Sequence, residues 1–186
     1  MHMLRPIVRR LRAPLAALVF VLLALPAGAQ TYCECFQGSG PCGNDQPTAL
    51  PSGCQNSTGS KGFLGPNSGF SVAADELVLS SINLPAGNPA LLVMGGSAAR
   101  TPFGDGVLCV ANTGAGLHRY AVGVTMFDGS LVHGPGLGAY AMANFPANGW
   151  HAPGDTWMFQ LWYRDPGGPC GSGFNLTNGV AITLEP

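Results

Sequence analysis

The feature that most constrains this chain is its set of six cysteines, Cys33, Cys35, Cys42, Cys54, Cys109 and Cys170. An even number of cysteines in an exported chain reads as a full set of disulfides. Cys33 and Cys35 are two residues apart and point the same way on an extended strand, so they are not expected to pair with each other. The arrangement the spacing favours is two bridges inside the Cys33–Cys54 cluster and one long-range bridge, Cys109–Cys170. Zinc is the rival reading of the cluster. It weighs less, because C-x-x-C spacing is absent and Gly and Pro surround the thiols. Neither a metal nor a cofactor is expected.

Reading the cysteines as bridges requires an oxidising compartment, and the N-terminus supplies the reason to expect one. Arg5, Arg9, Arg10 and Arg12 precede an apolar run from Leu15 to Leu25, and Pro26 and Ala27-Gly28-Ala29 follow. A basic segment, an apolar segment and an A-x-A-like end are the parts of a secretory signal peptide. The apolar run of about 11 residues is short of the ~20 a membrane-spanning helix needs. Residues 1–29 are therefore expected to be removed, leaving Gln30 first and placing the protein outside the cell or in the periplasm. Four of the eight Lys and Arg lie in that segment, while all nine Asp and Glu lie beyond it. The remainder, four bases against nine acids, carries a net charge of −5. Such a chain has no basic stripe to follow a phosphate backbone and little attraction for anionic lipid. Nucleic acid, and membrane after cleavage, are thus not expected as partners.

Scarce charge and abundant Gly and Pro argue against surface helices and for short strands joined by turns. Residues 30–69 form a Cys- and Gly-rich segment expected to be stapled onto a main domain at 70–186. Within that domain Leu77–Ile82, Ala90–Met94, Val107–Ala111, Leu117–Phe127, Thr156–Arg164 and Gly179–Glu185 read as strands. Leu137–Ala143 is a weaker candidate because of its glycine. Thr156–Arg164 is apolar on both faces, the mark of a central strand. The expected fold is all-β: a single β-sandwich, jelly-roll-like or Ig-like.

Residues that could carry chemistry are few. His118, His133 and His151 share no metal-ligand spacing, and His133 and His151 lie in Gly/Pro loops where an exposed side chain is expected. There is no G-x-S-x-G elbow. Gly134-Pro135-Gly136-Leu137-Gly138 resembles a phosphate loop only superficially, since no helix is expected to follow it. Asp105, Asp128, Asp155 and Asp165 could supply a glycosidase-like carboxylate pair, but each sits at a turn where Asp commonly holds backbone N–H groups. Arg164 and Asp165 are expected to form a structural ion pair. Asn56-Ser57-Thr58 and Asn175-Leu176-Thr177 are glycosylation-type triplets. Trp157 and Trp162 sit at strand spacing and are expected in the core. Trp150 lies in the loop FPANGWHAPGD with nothing to force its burial, so Trp150 and His151 are the nominated ligand-binding residues. The favoured function is a non-catalytic structural, surface or ligand-binding module, with extracellular polysaccharide or another cell-surface component as partner. A secreted hydrolase using the turn carboxylates is the alternative.

Five motifs stand out in combination: Pro41-Cys42-Gly43-Asn44; Gly53-Cys54-Gln55-Asn56-Ser57-Thr58-Gly59; Phe103-Gly104-Asp105-Gly106-Val107-Leu108-Cys109; Trp162-Tyr163-Arg164-Asp165-Pro166; and Cys170-Gly171 with Phe174-Asn175-Leu176-Thr177-Asn178-Gly179. In these the chain resembles a family of uncharacterised exported, cysteine-containing bacterial β-domain proteins, departing from it at Cys33-Glu34-Cys35. The resemblance implies a shared secreted β fold and carries over no catalytic residue.

Overall fold

The computed structural model describes residues 28–36, 38–45 and 51–186. In chain order the strands are β1 (Gly28–Tyr32), β2 (Phe63–Ser68), β3 (Val78–Ile82), β4 (Pro89–Gly95), β5 (Ala98–Phe103), β6 (Gly106–Val110), β7 (Leu117–Val124) and β8 (Leu131–His133). Helix α1 (Leu137–Asn144) and a 3-10 turn at Ala147–Gly149 follow, then β9 (Thr156–Arg164), β10 (Phe174–Leu176) and β11 (Gly179–Thr183).

The doubly apolar β9 is central, as its sequence predicts. It pairs antiparallel with β4 on one side and with β11 and then β10 on the other. β7 lies outside β4, and β1 lies outside β11. A second antiparallel sheet is ordered β2-β3-β8. Leu64, Leu79 and Leu131 of that sheet meet Leu92, Met94, Phe159, Leu161 and Ile182 of the main sheet in one buried core. The fold is all-β, two antiparallel sheets packed face to face.

The opposite face of the main sheet is covered as well. Gln160 alternates with the core-facing Phe159 and Leu161, so its side chain points away from the core. Fully buried, it donates to the carbonyls of Val107 (2.8 Å) and Thr177 (2.7 Å) and accepts from the Cys109 N–H (2.9 Å). These bonds tie the β5–β6 hairpin flat against the sheet.

Several expectations change here. The segment 30–69 is not loop alone but contributes strand pairing, β1 with β11 and β2 with β3. The signal-peptide reading falls almost wholly on residues 1–27, outside the described residues; Gly28 and Ala29 open β1. No helix among the described residues is long and apolar enough to cross a membrane.

The bridges are Cys33–Cys109, Cys35–Cys54 and Cys42–Cys170, with Cα separations of 5.8, 4.9 and 5.6 Å. The expected Cys109–Cys170 pair is therefore wrong, and only one bridge is internal to the cluster. Cys33 adopts a positive φ of 58°. That breaks the extended run and lets neighbouring cysteines face different partners. All six thiols are spent in these bridges, which suit an oxidising compartment.

Residues 137–144 are helical rather than extended. LGAYAMAN has no β-branched residue to favour a strand. Its first turn is capped from a distance: Asp75, at φ 46°, accepts from the N–H groups of Gly138 (2.7 Å) and Ala139 (2.9 Å). A helix does follow the glycine loop, but this carboxylate already occupies the N-terminus where an anion would bind.

Candidate functional site

The 3-10 turn after α1 delivers Trp150 to the surface. Gly149 lies against the His118 ring, where a Cβ would stand 2.6 Å from Cε1, so only glycine allows the turn to close there. The Trp150 backbone N–H donates to Ala147 (3.2 Å), and its indole Nε1 donates to the Phe145 carbonyl (3.1 Å). The ring is thereby fixed in orientation while 43% of the residue remains exposed. The following loop is anchored at its far end, where Gly154 donates to Leu184 (2.8 Å) and Leu184 donates to Asp155 (2.9 Å).

Trp150, His151 and Asp155 meet in one open cleft of about 520 Å³, with Asn148, Thr156 and Trp157 also in its walls. Trp157 is core, as expected, at 5% exposure, and its Nε1 has no hydrogen-bond partner. One Asp155 oxygen accepts from the Ala152 N–H (3.0 Å); its other oxygen makes no hydrogen bond among the described residues. Asn148 is oriented by donating to the Ala115 carbonyl (2.8 Å).

His151 is half-buried rather than exposed. Its Nε2 lies 3.2 Å from both the Tyr120 hydroxyl and Met94 Sδ. Burial lowers its pKa, with the carboxylates of Asp75 and Asp155 pulling in the other direction. Burial, reinforced by Asp75 and Tyr140, raises the pKa of the Tyr120 phenol. The imidazole and phenol are thus neutral near pH 7. Tyr120, Asn148 and Asp75 were not singled out from sequence. All three act through contacts across more than thirty residues, which no local pattern signals.

His133 is also half-buried, contrary to expectation, and its Nε2 has no partner. Desolvation lowers its pKa to about 4. The unfolded chain, at about 6.5, therefore takes a proton before the folded protein does as pH falls. Stability is full above pH ~6.5 and is lost progressively down to pH ~4, by roughly 3 kcal/mol from this residue. Urea midpoints at pH 7 and pH 4 measure the loss, and His133→Leu should remove this residue's share while leaving that of the half-buried His151.

The remaining turn acids are structural. Asp105 is fully buried and accepts from the N–H groups of Cys170 (3.1 Å) and Ser172 (2.9 Å) and from the Ser172 hydroxyl. Asp165, also fully buried, accepts from Ser57 N–H (3.0 Å), and no ion pair with the exposed Arg164 forms. The two carboxylates converge on Gly168, where a Cβ would collide with Oδ2 of Asp105 and stand 2.8 Å from Oδ2 of Asp165. Asn44 donates to the carbonyls of Asp105 (2.7 Å) and Gln55 (3.1 Å), and Asn175 donates to Gln55 (3.0 Å). Asn56 donates to Asn83 (2.8 Å). Both glycosylation-type asparagines are thus buried and engaged. The five sequence motifs together build this polar hub, stapled by Cys42–Cys170. Asp128 lies apart on the exposed β7–β8 turn, bonded to Ser130. Comparison with family models, curated proteins and solved structures returns no match.

Proposed function

We propose that the protein is a secreted, non-catalytic carbohydrate-binding module whose ligand lies in the Trp150 cleft. The observation that carries this reading is an indole pinned by its own N–H, exposed on one rim, with Asp155, Asn148 and His151 around it. An aromatic face covers the apolar C–H face of a sugar ring, and planar polar groups beside it receive hydroxyls. An exported address, taken from residues 1–29, would put such a cleft among extracellular or cell-surface polysaccharides. The hydrolase alternative needs two carboxylates about 5–9.5 Å apart facing substrate. Of the four turn acids only Asp155 lines this cleft, while Asp105 and Asp165 converge in the interior.

Affinity electrophoresis against a panel of soluble polysaccharides tests the reading. Trp150→Ala is expected to weaken retention by roughly 30-fold, the equivalent of about 2 kcal/mol of buried ring surface. Its melting temperature should be unchanged, since the ring contributes little to the core. Retention of no polysaccharide, or equal retention of the variant, would remove the proposal.

A further inference from the structure

A second cavity, on the far side of the main sheet, has a different chemistry. It occupies about 260 Å³ between the sheet and the β5–β6 hairpin. Leu91 and Val93 of β4, Leu117 of β7 and Trp162 of β9 form the sheet wall, and Phe103 and Leu108 of the hairpin form the roof. Arg119 is the one lining residue that is not apolar. It stands opposite Val93 in the β4–β7 ladder and is exposed, which places its guanidinium at the mouth. Among the described residues Arg119 makes no hydrogen bond, ion pair or ring contact. Arg100, by contrast, donates to the Glu34 carbonyl and covers the Phe36 ring. The register shift between Leu91 and Val93 places Tyr120 and Ala121 together opposite Leu92. The bulge turns Tyr120 into the core and leaves Arg119 with Leu117 on the outer face.

We propose that this pocket binds a small amphipathic carboxylate, its apolar body between sheet and hairpin and its head on Arg119. The inference is independent of the Trp150 cleft. At ~30 Å³ per non-hydrogen atom the space holds roughly eight or nine atoms, an eight-carbon chain or a phenyl ring with a short tail. An apolar body alone would leave the guanidinium without a partner, and a small anion alone would leave the cavity unfilled. A planar guanidinium suits a carboxylate, which it can hold through two parallel N–H bonds.

The test titrates the purified, disulfide-bonded protein with octanoate, 3-phenylpropionate, octanol and acetate, following backbone amide shifts. Octanoate or 3-phenylpropionate is expected to shift Leu91, Val93, Leu108 and Trp162 with a Kd of ~0.1–1 mM. Whichever binds more tightly identifies an alkyl or an aryl body. Octanol should bind about tenfold more weakly, and acetate should leave these amides unmoved. Arg119→Gln, a surface change, should weaken octanoate about tenfold without altering octanol. Leu117→Trp should fill the cavity and abolish both, and Trp150→Ala should change nothing. The proposal is overturned if neither acid shifts these residues, if acetate binds as well as octanoate, or if Arg119→Gln binds octanoate as the parent does.

Discussion

Replacing Cys42 and Cys170 together by serine is expected to destabilise the protein by about 4–5 kcal/mol. The size follows from loop entropy: this bridge spans 128 residues of sequence, and the unfolded chain released from so long a loop gains the most freedom. The loss should exceed that from removing Cys35–Cys54, which spans 19 residues and is worth about 3 kcal/mol. The bridge also holds residues 38–45 against the loop that presents its N–H groups to Asp105, so its removal should expose that carboxylate to solvent. Urea unfolding of the two double variants under non-reducing conditions checks the order. Equal midpoints would show that the native hub, rather than the closed loop, sets the stability.

Asp105→Ala is the second large effect, expected at about 3–5 kcal/mol. The part-buried backbone N–H groups of Cys170 and Ser172 would lose a charged acceptor, at about 1.5–3 kcal/mol each. Asp105→Asn keeps one acceptor of the same shape and should lose about half as much. Asp128→Ala, on the exposed β7–β8 turn, should leave the melting temperature unchanged. Thermal unfolding of the three variants distinguishes a structural carboxylate from a catalytic one. A catalytic Asp105 predicts an alanine variant as stable as the parent.

The parts of the fold legible in the sequence are those set by local patterning. β9 reads as central because both of its faces are apolar, and it does pair on both sides. β11 reads as half-buried from the alternation of Val180 and Ile182, both of which reach the core. What was not legible depends on contacts distant in sequence. The partner of Cys33 is 76 residues away and that of Cys42 is 128 away, with nothing local to choose them. Helix α1 takes its N-terminal cap from Asp75, more than sixty residues earlier, and without that cap the segment reads from sequence as a weak strand. Asp128-Gly129 reads as a hairpin turn, yet β7 joins the main sheet while β8 pairs with β3. The turn crosses between sheets because Gly129 tucks against the Leu84 carbonyl, where a Cβ would collide.

The candidate site was legible in part, for the same reason. Trp150 and His151 share a loop without an apolar period, and that absence is a local signal. Asp155 was visible only as one turn acid among four. It becomes a cleft residue through the anchoring of the loop to Leu184. The motif-rich segments, by contrast, build the buried hub, whose contacts join residues far apart in sequence.

The measurement that tests this division of labour most directly is a backbone amide titration of the disulfide-bonded protein with a soluble oligosaccharide from a polysaccharide it retains. Shifts confined to Asn148, Trp150, His151, Asp155 and Thr156, with Asp105, Asp165 and Ser172 unmoved, are the predicted result. Shifts centred on Asp105, Asp165 and Gly168 would contradict it, placing the ligand at the hub and the Trp150 cleft outside the function.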